Sequence, residues 1–167
     1  KVVYASKDPN PKVAAHPAIP LFQKAGIEVV EGVLSAEADL QNEVFFKTIL
    51  HKKPFVRLKT ALSLDGKVAL SSGESKYLTG EKTRKWVHQL RNRCDGILVG
   101  INTVLADNPS LNIRLPKSQI ILKKRTLVIL DSEAKTPLHA AFFQANPDAQ
   151  IVVVVGPQAS QSSVKLL

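Results

Sequence analysis

Ile97-Leu98-Val99, Thr126-Leu127-Val128-Ile129-Leu130 and Ile151-Val152-Val153-Val154-Val155 are three apolar runs without a charge among them. Each has the length and β-branched content of a strand, and none alternates with polar residues as a half-solvated strand does. Such runs predict buried, mostly parallel strands in an α/β fold. Loops and one short helical stretch near Leu138 to Gln144 separate them, and Ser160 to Ser163 is polar enough for a turn or loop. Gly100 follows the first run, where a missing side chain permits close approach of a ligand; tight packing alone explains it equally well.

Upstream of these runs, Thr79 can cap a helix from about Gly80 to Arg93. Trp86, Val87, Leu90 and Cys94 form its apolar stripe, which core packing accounts for, while Arg84, His88 and Arg91 lie on a neighbouring face. From Phe55 to Ser63 apolar and polar residues alternate, as in a strand with two different faces, and Asp65-Gly66 can turn it into a hairpin with Lys67-Val68-Ala69-Leu70. Further upstream the pattern is helical: Ser35 can cap a helix carrying Leu40, Val44, Ile49 and Leu50, running through Lys52 and ending before Pro54. A boundary between domains of residues 1–52 and 53–167 follows. At the start, Val2 to Ser6 is β-prone, Asp8-Pro9-Asn10-Pro11 demands an irregular loop, Pro17 to Ala25 can form a helix with Leu21 and Phe22 inward, and Gly26 caps it before Ile27-Glu28-Val29-Val30. That order is a β-α-β crossover.

The 167 residues are 44% hydrophobic, enough for a core of one domain or parts of two. Lys and Arg number 23 against 14 Asp and Glu, and the resulting net charge of +9 suits phosphate, whether of nucleic acid or of a small molecule. The cations are scattered and aromatics are only 5%, which argues against a single-strand nucleic-acid binder. One cysteine permits no internal disulfide and suits a reducing, cytoplasmic compartment. No apolar run approaches the roughly 18 residues of a membrane span, and Lys1 to Ser6 lacks the pattern of a signal peptide, so a soluble protein is expected. His16, His51, His88 and His139 are far apart and unpaired in spacing, as surface or hydrogen-bonded histidines are, and no metal ligand set is visible.

Two sets of residues carry a resemblance. The first is Val3-Tyr4-Ala5-Ser6-Lys7-Asp8-Pro9-Asn10-Pro11 with Ala25-Gly26-Ile27-Glu28-Val29 and Gly32-Val33-Leu34. The second is Lys59-Thr60-Ala61-Leu62-Ser63-Leu64-Asp65-Gly66-Lys67, Ser72-Gly73-Glu74-Ser75, and Val99-Gly100 through Thr103-Val104-Leu105-Ala106-Asp107-Asn108-Pro109-Ser110-Leu111. In order and spacing the chain resembles the bifunctional riboflavin-biosynthesis deaminase/reductase family. The resemblance implies the C-terminal part of a cytidine-deaminase-like domain, then the N-terminal half of a dihydrofolate-reductase-like domain with a mostly parallel sheet. No His-Ala-Glu or Pro-Cys pair precedes Val2, and the family's later Gly-rich cofactor segment is not reached. Both active sites are therefore expected to be incomplete, with zinc belonging to the full-length deaminase domain and not bound by this chain.

The implied reaction is NADPH-dependent reduction of a phosphorylated ribosylaminopyrimidine to its ribitylamino product, with the hydride supplied by the cofactor. By resemblance Lys59 is the catalytic group beside the reacting ribosyl carbon, where an ammonium can polarise or protonate a developing alkoxide; a solvated strand lysine is the plain alternative. Ser75, Arg91, Leu111 and Arg114 fall at substrate-contact positions, and two guanidiniums suit a dianionic phosphate. Ala61, Tyr77, Thr103, Asp107 and Ser132 fall at NADPH-contact positions, although Asp107 could be only a turn or cap residue. The implied partners are the small-molecule substrate and cofactor, without nucleic acid or membrane, and a homo-oligomer is left open. Competing readings are a ligand-binding or subunit-docking module, a basic nucleic-acid-binding domain, and a stand-alone reductase with another pteridine or pyrimidine substrate.

Overall fold

The computed structural model describes residues 1–15, 17–73 and 78–167. His16, Ser75 and Tyr77 lie outside the described residues. The chain divides into two compact units, Lys1–Thr60 and Ala61–Leu167.

In the first unit β1 (Val2–Tyr4) pairs in parallel with β2 (Val29–Glu31), joined through α1 (Pro11–Ala14) and α2 (Ile19–Lys24). This is the crossover expected from the sequence. One detail differs: Pro11 opens a helical turn rather than extending a loop, because proline is well suited to the first helical position and Asn10 caps the turn by accepting from the Lys12 N–H. Leu21 is 69% exposed and only Phe22 of the expected pair turns inward. The single helix expected over residues 35–52 is two, α3 (Ser35–Gln41) and α4 (Glu43–His51). Asn42 divides them: its side-chain Nδ2 donates to the Ala38 carbonyl at 2.8 Å, competing with the helical ladder as Asn side chains do. Ser35 is the first helical residue and not the cap, a place held by Leu34 in a left-handed conformation; the Ser6 and Asp39 side chains bond each other across this turn. Leu40, Val44 and Leu50 are exposed.

The hairpin expected from Phe55 to Leu70 does not form; among the described residues there is no strand between β2 and Gly96. The turn itself is present, with Gly66 at φ 77° and the Ser63 N–H donating to the Lys67 carbonyl at 2.9 Å. The return rung goes elsewhere. The Ser63 hydroxyl oxygen accepts the Lys67 N–H at 3.0 Å, taking the donor a second strand would offer to the Ser63 carbonyl.

The second unit is built on the three runs read as strands: β3 (Gly96–Gly100), β4 (Thr126–Leu130) and β5 (Gln150–Val154), in that order and all parallel. Side chains alternate across the sheet. Leu127 and Ile129 pack with Val104, Leu111, Ala140 and Phe142 in the core, flanked by Ile97, Val99, Ile151 and Val153. On the opposite face Leu98, Leu130 and Val154 are exposed. The core is covered by α6 (Ile101–Asp107), which contributes Val104, and α7 (Ala141–Ala145), which contributes Phe142. Only α7 was expected; α6 directly continues β3, and α8 (Gln161–Leu166) occupies the segment read as a polar loop. Ser160 stands at its cap position, with its hydroxyl bonded to that of Ser162.

Before β3 stands α5 (Glu81–Arg93). Gly80, not Thr79, holds its cap position, and the Thr79 carbonyl accepts from Arg84 Nη1 instead. Trp86 is 55% exposed and Cys94 only half-buried, so the expected stripe is not a core stripe. What anchors the helix is polar. Asn92 is buried; its Nδ2 donates to the Gln119 carbonyl at 2.7 Å and its Oδ1 accepts from the Ile121 N–H and Arg125 Nη2, both at 3.0 Å. Lys123 adds an ion pair with Asp95 and a bond to the Arg93 carbonyl. These contacts tie the end of α5 to the segment leading into β4.

Candidate functional site

In the last turn of α5, Arg91 donates from Nη1 to the Asn112 carbonyl at 2.7 Å. On the loop it reaches, the Arg114 N–H donates to Nδ1 of His88 at 3.3 Å, so His88 and Arg91, three residues apart on one helix face, both meet residues 112–114. Leu111 begins this turn at φ 51°, and its side chain is in the core, so its bearing on the site is through the backbone it bends. The Asn146 Nδ2 donation to the Ser110 carbonyl at 2.7 Å holds the other side of the turn.

The electrostatics of this cluster are one-signed. Burial, and then the charge of Arg114, lower the pKa of Arg91. Burial, followed by Arg91 and Arg114, lowers that of His88, favouring the neutral imidazole. Among the described residues the ion pairs join Lys1 to Glu28, Lys7 to Glu31, Arg57 to Glu43, Lys123 to Asp95 and Lys135 to Glu133; Arg91 and Arg114 belong to none. The cavity of about 280 Å³ at the amino end of the sheet contrasts with this. There Lys123 pairs with Asp95, and Arg125 Nη2 bonds the carbonyls of Asn92 and Ile121 while its Nε is buried without a partner.

A second group lies where the strands end. Gly100 ends β3 and leads into α6 with nothing within 4 Å of where a Cβ would stand and with φ −81°, so neither packing nor backbone conformation demands glycine there. Thr103 and Asp107 are four residues apart on α6, on one face, and both are exposed. Asn108 closes that helix, and its Oδ1 accepts the Ala141 N–H at 2.8 Å. Ser132 is exposed just after β4, beside Gly156 after β5. Ligands of open parallel sheets bind at the carboxyl ends of the strands, and hydroxyls beside an unfilled glycine suit a polar, extended molecule.

Of the residues singled out from sequence, Arg91, Leu111 and Arg114 come together, Thr103 and Asp107 share a helix face, and Ser132 stands at the end of the neighbouring strand. Lys59 is exposed near the end of the first unit and Ala61 opens the second. Ser75 and Tyr77 are outside the described residues. His88, Asp131 and Gly156 were not singled out as site residues. An acidic residue placed directly after an apolar run, as Asp131 is, was the available signal.

The family model for the RibD C-terminal domain matches residues 54–167. The riboflavin biosynthesis protein RibD of Actinobacillus pleuropneumoniae is 45% identical over 92% of this chain and 39% of its own length. That of Aquifex aeolicus is 37% identical over 99% of the chain and 45% of its own length. The crystal structure of a diaminohydroxyphosphoribosylaminopyrimidine deaminase/5-amino-6-(5-phosphoribosylamino)uracil reductase from Thermotoga maritima superposes with a TM-score of 0.78 at 37% identity, covering 95% of this chain and 44% of that one. Acinetobacter baumannii RibD gives 0.72 at 35% identity, covering 99% and 46%. The chain thus spans less than half the length of these relatives. With parallel sheets in both units and two thirds of its residues matched to one domain model, it belongs to the RibD family.

Proposed function

We propose that the second unit supplies the substrate-phosphate contacts and part of the cofactor contacts of an NADPH-dependent reductase that converts 5-amino-6-(5-phosphoribosylamino)uracil to its ribitylamino product in riboflavin biosynthesis. The observation that carries this is the pair Arg91 and Arg114 beside His88, positive and without a carboxylate partner among the described residues, on a chain matched to the RibD C-terminal domain. Guanidiniums donate in a planar fork that fits a phosphate, and an anion here would offset the charge that the two impose on each other. Ser75 is assigned to the same substrate, and the turn at Leu111 fixes how Arg114 is presented.

The open strand ends, with unfilled Gly100 and the hydroxyls of Thr103 and Ser132, fit NADPH. Ala61, Tyr77, Thr103, Asp107 and Ser132 would hold it, and when bound it supplies hydride. Lys59 is assigned to stabilise and protonate the ribosyl oxygen as the sugar opens. In this reading the second unit is dihydrofolate-reductase-like and the first is the end of a cytidine-deaminase-like domain. Zinc then belongs to deaminase residues elsewhere in the full-length protein; among the described residues no group of three His, Cys, Asp or Glu side chains could hold a metal. No helix among them is long and apolar enough to cross a membrane.

The test is NADPH oxidation by the full-length protein with the deaminated ribosylaminopyrimidine phosphate. Substrate-dependent oxidation is expected, with turnover lost in Lys59→Ala while NADPH binding is retained. A folded full-length protein that oxidises no NADPH with this substrate would overturn the assignment.

A further inference from the structure

The carboxyl edge of the sheet carries a buried carboxylate that the proposed reaction leaves unused. Asp131, 1% exposed, follows β4 directly. Its Oδ2 accepts both the N–H and the hydroxyl of Thr136, each at 2.7 Å. Its carbonyl accepts the Ala134 N–H at 3.2 Å, and its own N–H donates to the Val154 carbonyl at 2.9 Å. Ala134 sits at φ 56°, a left-handed conformation that costs a residue with a side chain about 1 kcal/mol or more. Oδ1 is buried without a partner. Burial works to raise the Asp131 pKa, but the two Thr136 hydrogen bonds and the nearby Lys135 and Glu133 backbone N–H groups outweigh it and hold the carboxyl below its usual range, hence ionised.

A plain connection between β4 and α7 needs neither a buried charge nor a strained alanine; Gly and Asn would turn the chain at less cost. What these features fix is the turn displaying Ser132. The next strand end fixes it from the other side. The Gly156 N–H donates to the Ser132 carbonyl at 3.0 Å, and a Cβ on Gly156 would stand 2.8 Å from that oxygen and 3.4 Å from the Ser132 Cα and Cβ. A side chain at Gly156 would force a shift at this contact with Ser132.

We propose that Asp131 is a positioning residue: by clasping Thr136 while Gly156 abuts the Ser132 backbone, it sets Ser132 at the strand ends as a contact for the nicotinamide cofactor. The inference rests on reading Ser132 as a cofactor contact. It concerns the residues behind that contact, which touch no ligand themselves.

The experiment is steady-state kinetics and thermal unfolding of the full-length protein carrying Thr136→Val, Gly156→Ala, Asp131→Asn or Ser132→Ala. Thr136→Val and Gly156→Ala reach the turn from opposite sides, and each is expected to raise KM for NADPH about tenfold, the worth of one displaced hydrogen bond, with kcat and the KM for the pyrimidine nearly unchanged. Thr136→Ser, which keeps the hydroxyl, should restore the parent value. Asp131→Asn retains an acceptor for Thr136 and should fall between. If the turn variants lower Tm but leave KM for NADPH at the parent value while Ser132→Ala raises it, Asp131 is merely structural and the proposal fails. If Ser132→Ala and the turn variants all leave that KM unchanged, it is the cofactor reading of Ser132 that fails.

Discussion

In Lys1–Thr60 two strands pair over three positions; in Ala61–Leu167 three strands pair over five, and the two units differ far more in what they bury than in ladder length. Every described residue that is buried lies in the second unit: six apolar ones around Phe142, together with Asn92, Asp131 and Thr136. The first unit carries surface ion pairs, Lys1 to Glu28, Lys7 to Glu31 and Arg57 to Glu43, of a kind that contributes about 0–1 kcal/mol each. A parallel pair specifies topology, but a layer laid over it supplies stability. The largest effect should therefore come from Phe142→Ala, which empties the centre of the core and is expected to cost about 3–5 kcal/mol in denaturant unfolding. Leu21→Ala, at a site 69% exposed, should stay within about 0.5 kcal/mol. Equal losses from the two substitutions would break the contrast.

Within the second unit, the basic cluster and the strand-end turn are expected to answer to different ligands. Arg91→Ala should raise KM for the phosphorylated pyrimidine by roughly 10-fold to 100-fold, the range for a hydrogen bond to a charged group, and leave KM for NADPH near the parent value. Arg91→Lys keeps the charge without the planar fork and should recover only part of the loss. A rise confined to KM for NADPH would reverse the assignment of the two regions.

The sequence makes the second sheet readable because its strands are uninterrupted apolar runs, a pattern that survives without knowledge of their partners. The crossover of the first unit is readable for another reason: Gly26 and the prolines punctuate it. Two of the missed features depend on where one side chain finds a partner. Asn42 splits a periodic helix by bonding the Ala38 carbonyl, and the Ser63 hydroxyl removes a rung from a well-signalled hairpin. Neither event alters the hydrophobic pattern. The proposed site is a set of positions taken from resemblance; of these, Arg91 bonds the Asn112 carbonyl on the turn that runs from Leu111 to Arg114. His88 was not legible in the sequence, because its role comes from a loop 26 residues away that brings the Arg114 N–H to its ring.

His88 gives a smaller effect, readable by pH. Its pKa is lowered, first by burial and then by Arg91 and Arg114, so it contributes stability that is present above the unfolded value of about 6.5 and lost as pH falls through that value toward the folded one. A phosphate bound between the guanidiniums would offset their repulsion and raise the pKa. Imidazole NMR titration of the protein should thus show the His88 midpoint below that of free histidine, moving upward when inorganic phosphate is added. Movement absent in the parent, or retained in Arg91→Ala with Arg114→Ala, would place the anion elsewhere.

The smallest effect belongs to the first unit. The Tyr4 hydroxyl bonds the Glu31 carboxylate between β1 and β2, which pushes the phenol up to about 12 and, with Lys7, lowers the Glu31 carboxyl. The raised phenol favours the folded form fully below the unfolded value of about 10 and loses that preference as pH rises through the folded value. The lowered carboxyl works in the opposite direction, helping above its unfolded pKa and failing as acid is added. Ultraviolet titration should find one tyrosine ionising late, returned toward 10 in Glu31→Gln. Because both groups sit on the surface of a two-stranded ladder, neither Tyr4→Phe nor Glu31→Gln should shift the unfolding of the Phe142 core. A change there as large as that of Phe142→Ala would mean the two units unfold as one, and the difference in burial between them would then not translate into a difference in stability.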